Sequence, residues 1–473
     1  MALFSLGQGY RTTYVQFLIV AAIYFCASAS YMVVNGVGGG GLVDSSVSAR
    51  ANFVSNIASS AVGLFSGAIH NYLGSRASLL IGAVAYVFFA LSYFIYGLTG
   101  HAAIVYVAAV CFGLSITLFW TAQGSLMLSY PTEDHRGKYI TTFFVAFSAS
   151  GVTGGVLALA LNFHSKFPTL GATTYLAAIA IGAVGVALVF FLRPASQLVQ
   201  DNGHPLVVRK FEGWRHEIRG TGGIFTNKYM WLMTPLFIVL GTYFTYISNG
   251  YNFSLFTIRT RGLNATLFSI CGMLGSLVFG YYMDHARLPM RLRGTVAAGA
   301  ITVLLLASWV SAYFVQRPYP RLDPDSPAAL AHVGHDFSSG FYWATVLIYC
   351  TWGFLDSTLN AFSFWILGGV TSDPDELARF TGYTRCLQGL GGVLSWGLDS
   401  LRVAYVTELW VTFSLLLVGM AFAVATIRVL PLPNETDSMD VASVNVAFDG
   451  DSACEEVKAP LVEKPHLPTG QAV

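Results

Sequence analysis

The chain has 473 residues, of which 55% are hydrophobic and only 10% are charged. A soluble globular domain carries about 25% charged residues, so this composition excludes a water-soluble fold and indicates a polypeptide that lies in a lipid bilayer. The formal net charge of +1 leaves no basic surface for nucleic acid and no acidic surface for a basic partner.

Apolar stretches long enough to cross a bilayer recur along the chain. Six of them occupy residues 14–34, 53–72, 78–98, 102–128, 140–161 and 175–192. Six more occupy residues 229–251, 263–283, 295–315, 341–368, 380–398 and 409–429. Backbone amides cannot remain unpaired in hydrocarbon, so segments of this length and apolarity are predicted to be helices. We therefore expect an all-α integral membrane protein of about twelve transmembrane helices in two six-helix halves.

Two polar stretches divide this pattern. The first separates the sixth span from the seventh, and the second follows the last span and is rich in Asp, Glu, Ser and Pro, a composition typical of disorder. The predicted division is an amino-terminal half (1–192), a cytosolic loop (193–228), a carboxyl-terminal half (229–429) and a disordered cytosolic tail (430–473).

The first span contains the sequence Cys-Ala-Ser-Ala-Ser at 26–30, which resembles a signal-peptide cleavage site. The apolar character continues to Val34, so we expect a signal anchor that is retained. Five of the six cysteines lie in such apolar runs, which favours packing roles over a disulfide framework.

The distribution of positive charge predicts the orientation. Most of the 25 lysines and arginines fall in segments on the side of the amino terminus, and such residues concentrate in the cytosol. Both termini are therefore predicted to be cytosolic. Asn264, in the pattern Asn-Ala-Thr, then lies in an outward loop and is a predicted glycosylation site.

A short signature occurs where the second helix of each half ends. The first copy consists of Gly67, Asn71, Gly74 and Arg76. The second copy consists of Gly280, Asp284 and Arg287, and its glycine and polar residue have the same spacing as those of the first copy. Glycine allows two helices to approach closely, the polar residue can cap a neighbouring helix terminus, and the arginine suits the cytosolic interface. The repeat predicts a gating latch that is made and broken as the halves rock, whereas either copy alone also suits an ordinary helix end.

This signature resembles the loop motif of the major facilitator superfamily, although Asn71 replaces the aspartate in the first copy. Further stretches resemble the UNC-ninety-three-like family, the ion channel regulatory protein branch of that superfamily. They occupy residues 35–41, 130–139, 364–368 and 378–382, of which the Tyr-Pro-Thr-Glu loop at 130–133 is the most specific. The resemblance implies a facilitator-type fold, with members that act as accessory or trafficking partners of channels and receptors and others presumed to move ions or small solutes. It implies no cofactor and no catalytic residue.

An ionisable residue at membrane depth raises the free energy of insertion into the bilayer, so each such residue is a candidate site. Asp356 and Asn360 share one face of the tenth span, and Arg385 lies at a matching depth in the eleventh, with Gln388 nearby. We expect an ion pair between Asp356 and Arg385. Two interpretations remain open: the pair lines a central cavity and binds a cation or proton or switches during rocking, or it is a static structural pair.

The opposite wall of such a cavity is predicted to contain Trp120 and Gln123 in the fourth span and Asn52 and Asn56 in the second. Aromatic and amide groups suit a small polar solute, but interhelical hydrogen bonding is the favoured role for these residues. Asp399 and Glu408 lie near the outer interface, where we expect them to be solvated.

No arrangement of nucleophile, base or metal ligands forms an enzyme site, so we expect no enzymatic activity, no metal and no cofactor. Two functions remain. The first is transport of an unknown ion or small solute by alternating access. The second is a non-transporting accessory protein that regulates or traffics a membrane channel or receptor. The predicted surroundings are membrane lipid in either case.

Overall fold

The computed structural model describes residues 10–36, 45–132, 135–162, 170–200, 203–206, 213–285, 288–321, 334–371 and 373–430. Arg287, residues 37–41 of the glycine-rich stretch and the predicted tail after Leu430 lie outside the described residues.

The first half of the described chain forms six long helices. They are α1 (Thr13–Asn35), α2 (Ser45–Leu73), α3 (Ser75–Thr99), α4 (Ala103–Ser129), α5 (Arg136–Asn162) and α6 (Ala172–Val189). The residues that resemble a cleavage site lie inside α1, where most of them are buried among neighbouring helices. A short helix, α7 (Trp214–Ile224), then occupies part of the segment predicted as the loop between the halves.

The second half also forms six long helical segments. The first begins with α8 (Lys228–Val239) and continues, after a break, as a helical turn at Tyr243–Thr245 and a π-helix at Tyr246–Phe253. The others are α9 (Ile258–His285), α10 (Met290–Gln316), α11 (Tyr342–Gly368), α12 (Pro374–Ser400) and α13 (Tyr405–Val429).

The number of crossings fixes which ends of the helices share a face of the bundle. Six long segments precede α7 and six follow it, so the start of α1, the whole of α7 and the end of α13 lie on one face. We call this the terminal face and the opposite one the distal face.

Within the described residues, nine of the long segments are apolar and long enough to cross a membrane by composition alone. The three that fall short in apolarity are α2, α11 and α12. These helices carry six of the polar residues that the sequence placed around a central cavity, so their weaker hydropathy has a structural explanation. They tolerate polar side chains because those side chains face other helices and not lipid.

Two helix pairs form the most extensive contacts between the halves. Helix α2 packs along α12, and α5 packs along α9. A hydrogen bond between the hydroxyls of Ser148 on α5 and Ser357 on α11, 2.9 Å long, adds a polar contact between the same halves.

The glycosylation prediction at Asn264 is wrong for the folded chain. Helix α9 begins at Ile258, earlier than predicted, so Asn264 lies within a helix and not in a loop. Its side chain is fully buried: the amide donates to Asn252 at 2.9 Å and the carbonyl oxygen accepts from the hydroxyl of Tyr342 at 3.0 Å. A glycan has no room at this position.

Candidate functional site: a central cavity with a latch on the terminal face

A cavity of about 220 Å³ lies near the middle of the bundle, where helices from both halves converge. Asp356 and Asn360 on α11 and Arg385 and Gln388 on α12 are among the polar side chains that line it. Residues three or four apart share a helix face, so each helix presents two polar groups together. The lining also reaches Gly36 at the end of α1, so the cavity extends towards the distal face.

Asp356 and Asn360 are joined by a third residue that the sequence analysis did not select. The hydroxyl of Tyr243 donates to Oδ1 of Asp356 at 2.7 Å and accepts from Nδ2 of Asn360 at 3.0 Å. Asn360 also donates to the backbone oxygen of Asp356 at 2.9 Å. The three side chains form one hydrogen-bonded unit, which holds the Asp356 carboxyl in a fixed position.

The break after α8 places Tyr243 in this unit. Gly241 lies at the break, and a Cβ added there would come within 1.9 Å of the backbone oxygen of Gln388. Only glycine allows the chain to approach α12 so closely. A discontinuous transmembrane helix beside a cavity is a common arrangement where backbone or side-chain groups line a binding site.

The expected ion pair between Asp356 and Arg385 is absent, although both residues lie in the described part of the chain: no nitrogen of Arg385 comes within 4.0 Å of a carboxylate. Nη1 of Arg385 instead donates to the side-chain oxygen of Gln388, one turn along α12. The guanidinium also lies 4.3 Å from the ring centroid of Trp120. Matching depth was a poor guide, because the partner of Asp356 comes from the break after α8 and not from α12.

A second chamber of about 260 Å³ adjoins the first and shares Trp120, Arg385 and Gln388 with it. Asn52 and Asn56 line this chamber from α2. Asn52 accepts a hydrogen bond from Tyr31 of α1 at 3.2 Å, and Asn56 donates to the backbone oxygen of Asn52 at 2.8 Å. These two amides therefore take part in helix packing and also border the chamber.

Gln123 does not border either chamber, contrary to the expectation. Its side chain is fully buried within the bundle, and its amide contacts the sulfur of Met127 at 3.1 Å. Trp120, one turn earlier on α4, lines both chambers.

The first copy of the repeated signature lies on the terminal face, where α2, α7 and α12 meet. Nδ2 of Asn71 donates to both carboxylate oxygens of Glu217 on α7, at 3.2 and 3.3 Å. Nη1 of Arg379 on α12 lies 3.9 Å from the same carboxylate. A Cβ added at Gly67 would come within 2.6 Å of the Cα of Arg379, so the two halves are in close contact here.

The remaining residues of this copy shape the turn that follows α2. Gly74 adopts a positive φ of 78°, which favours glycine. Nη2 of Arg76 donates to the backbone oxygen of Phe190 at the end of α6, at 3.3 Å.

The second copy makes the equivalent contact between α9 and α5. The carboxylate of Asp284 lies against the first turn of α5, so that a Cβ added at Gly137 would come within 2.0 Å of Oδ1. A carboxylate at a helix amino terminus is favourable because the backbone amides there are unpaired. Gly280, one turn earlier, faces Thr141 of α5.

Comparisons with known proteins agree with this geometry. The sequence profile of the Major Facilitator Superfamily matches residues 17–396. An UNC93-like protein of Schizosaccharomyces pombe is 30% identical over 403 residues, which is 85% of this chain and 79% of the relative. The chain belongs to the UNC93-like branch of the major facilitator superfamily. UNC93-like protein 1 of Arabidopsis thaliana is 28% identical over 429 residues, or 90% of this chain and 92% of the relative.

Solved structures confirm the facilitator fold predicted from the sequence. A bacterial homologue of the iron transporter ferroportin, in an outward-facing state, superimposes with a TM-score of 0.62 and covers 87% of this chain and 99% of its own. The Escherichia coli fucose:proton symporter gives a TM-score of 0.60, with 88% and 99% coverage. Sequence identities are 12% and 11%, so these likenesses concern the fold.

This UNC93-like chain contains a second polar cluster, near the distal face. Arg321 in the loop after α10 donates to Asp399 and lies 3.2 Å from Glu408. Asn249 of the π-helix donates to the other oxygen of Asp399 at 2.8 Å. Asp399 and Glu408 are 9% and 3% exposed, so the expectation that they are solvated is wrong. Arg321, which follows α10 in the described part of the chain, supplies the cation.

The sequence contained one signal for the residues that were missed. The seventh span includes Pro235 and Gly241, and such residues mark helix breaks in transmembrane segments. The residues just after such a break are candidates for a site, and Tyr243 is among them. No comparable signal indicates that Arg321 folds back onto α12 and α13.

Proposed function

We propose that this multi-pass membrane protein moves a small solute by alternating access, with the central cavity as its binding site. The observation that carries the proposal is the pair of charged side chains, Asp356 and Arg385, placed near the middle of two transmembrane helices beside a cavity. A charged group at this depth costs several kcal/mol on insertion unless it is paired or hydrated.

The absence of an Asp356–Arg385 ion pair, in a region that the structure describes, favours this function over a static structural pair. Two charges kept for stability alone would neutralise each other directly. Here each is held by neutral side chains and borders the same cavity. Such an arrangement leaves both charges available to a solute, a proton or each other in a second conformation.

The closed terminal face is also consistent with alternating access. Both signature copies join opposite halves there: Asn71 and Arg379 both contact Glu217 in one case, and Asp284 lies against α5 in the other. The cavity lining extends towards the distal face. A transporter closed on one face and accessible from the other is in one of the two states that the mechanism requires.

We infer that the terminal face is cytosolic, because the lysines and arginines concentrate on that side. Single cysteines introduced near Gly222 in the segment after α6 and near Gly340 in the loop before α11 test this. A membrane-impermeant maleimide applied to intact cells should label only the second position.

Transport is tested with purified protein in proteoliposomes. Wild type should move at least one solute from a broad panel of small organic solutes and ions, measured with and without a proton gradient. Asp356→Asn should abolish or severely reduce that flux, whereas Asp336→Asn, the same substitution in a loop on the distal face, should not. Folded wild-type protein that moves nothing, or flux and surface delivery unchanged in Asp356→Asn, would contradict the proposal.

An accessory role for a channel or receptor is the second candidate, favoured by the neutral Asn71 in a position where the superfamily motif has an aspartate. It predicts that crosslinking and affinity purification from native membranes recover a stoichiometric membrane partner, and that Asp356→Asn leaves this association intact. Recovery of the chain alone would count against it.

A further inference from the structure

Arg385 is the central group of the cavity, and its charge has no counterion within the described protein. Of its three nitrogens, only Nη1 has a hydrogen-bond acceptor, the side-chain oxygen of Gln388. Nε and Nη2 are buried without an acceptor, and so is the amide nitrogen of Gln388. A desolvated donor that lacks an acceptor destabilises the folded protein, and more so if it is charged. One small region thus contains three buried donors and no acceptor for any of them.

Aromatic rings hold the guanidinium in place. It lies 4.3 Å from the ring centroid of Trp120 and 5.6 Å from that of Phe364. Contacts of this kind stabilise a cation but supply no hydrogen-bond acceptor. The rings therefore hold Arg385 in place, and its remaining donors stay unsatisfied among the described residues.

The rest of the cavity wall is largely apolar and aromatic. Phe144 and Phe147 contribute from α5, Phe244 from the turn after α8, and Phe268 from α9. The volume of about 220 Å³, with the adjoining chamber of about 260 Å³, suits a small organic molecule. Asp356 is committed to Tyr243 through Oδ1 and does not reach Arg385.

From the uncommitted donors of Arg385 and Gln388 and from the aromatic wall, we propose that the ligand is a small organic monocarboxylate. Its carboxylate accepts from the guanidinium of Arg385 and the amide of Gln388, and its apolar part packs against the phenylalanines of the cavity wall. Two carboxylate oxygens match the planar donor geometry of arginine. This inference rests on the proposed function for the identity of the site, but binding alone tests it.

The experiment compares acids with their neutral amides, on wild-type protein in lipid nanodiscs. The probes are phenylacetate against phenylacetamide, and hexanoate against hexanamide, with phenethylamine as a cation of similar size. Binding is measured by isothermal titration calorimetry and by the shift in melting temperature. Each acid should bind roughly tenfold or more tightly than its amide, because the amide lacks the charge that strengthens the hydrogen bonds to Arg385.

Gln388→Glu is the decisive variant, because it places a carboxylate next to Arg385 with almost no change in shape. The new carboxylate supplies the missing acceptor, so phenylacetate affinity should fall at least tenfold while the melting temperature without ligand stays the same or rises. Gln197→Glu, at an exposed position, is the matched control and should change neither. If Gln388→Glu does not fold, Arg385→Lys provides a second test. Lysine retains the charge but not the planar donors of arginine, so Arg385→Lys should weaken phenylacetate binding, but by less than the tenfold expected of Gln388→Glu.

The result that overturns the inference is equal binding of acid and amide, or no binding of either acid by folded wild-type protein. The outcome is separable from transport. Acid-selective binding without flux would reject the proposed transport and leave this inference standing. Flux of a solute with no preference for acids would reject the inference and leave transport standing.

Discussion

Two arginines of this protein, Arg321 and Arg385, meet opposite surroundings. Arg321, near the distal face, donates to Asp399 and contacts Glu408 and the ring of Tyr405, so that only its Nε lacks a partner. Arg385, in the middle of the bundle, contacts one neutral side chain and two aromatic rings. The same side chain is thus a structural crosslink in one place and a candidate binding group in the other. The difference lies in whether the protein itself supplies the counterion.

The largest expected effect is that of Arg321→Gln on stability. The change leaves the carboxylates of Asp399 and Glu408 buried without a cation, and breaking a buried pair in this way costs about 3–5 kcal/mol. Denaturant or thermal unfolding in detergent measures the loss. Arg317→Gln, an exposed position in the same loop, is the control. A loss of stability no greater than that of the control would show that Arg321 is not a structural crosslink.

Tyr243→Phe should have the next largest effect. It removes the hydroxyl that joins Asp356 to Asn360, and hydrogen bonds to charged groups contribute about 1.5–3 kcal/mol. Tyr229→Phe, whose hydroxyl makes no hydrogen bond among the described residues, serves as the control in the same unfolding assay. Equal stability of the two variants would show that Asp356 is not held by Tyr243.

Asp336→Asn should have a smaller effect, because this ion pair lies in a more exposed part of the distal face. Nε of Arg259 donates to Asp336 at 2.6 Å, and exposed pairs contribute about 0–1 kcal/mol. Burial raises the pKa of Asp336, but hydrogen bonds from Arg259, Ser338 and Thr257 outweigh it and lower the pKa to about 2.

This lowered pKa gives the Asp336 prediction a pH dependence. A carboxyl whose pKa is lowered by folding stabilises the protein above its ordinary pKa, here 3.8, and loses that contribution as the pH falls towards 2. The difference in melting temperature between wild type and Asp336→Asn should therefore be constant above about pH 5 and should shrink below pH 4. A difference that grows on acidification would contradict this assignment.

Arg385→Gln should cause no loss of stability, because it removes a desolvated charge and two unsatisfied buried donors without leaving a counterion behind. The unfolding assay used for Arg321→Gln applies without change. A loss as large as that of Arg321→Gln would make Arg385 a structural residue and would end the contrast between the two arginines.

Much of the candidate site could be predicted from the sequence, since Asp356, Arg385, Gln388 and Trp120 all line the cavity. They were found because polar residues within apolar spans are rare and are unfavourable to insert into the bilayer. The partners of these residues could not be predicted in the same way. Depth along a helix says nothing of rotation about its axis, which is why Arg385 was wrongly paired with Asp356. The prediction that Gln123 lines the cavity was wrong for the same reason.

The sequence by itself determined that this protein lies in a lipid bilayer, where its helical segments are and that it is UNC93-like, because hydropathy and motifs are properties of short contiguous stretches of chain. Only the tertiary structure decided that Arg321 pairs with Asp399 and Glu408, that Asn264 is buried within α9, and that Tyr243 holds Asp356. Each of these contacts joins residues far apart in the chain. Such contacts depend on which helix faces meet, and that is set by the packing of the whole bundle.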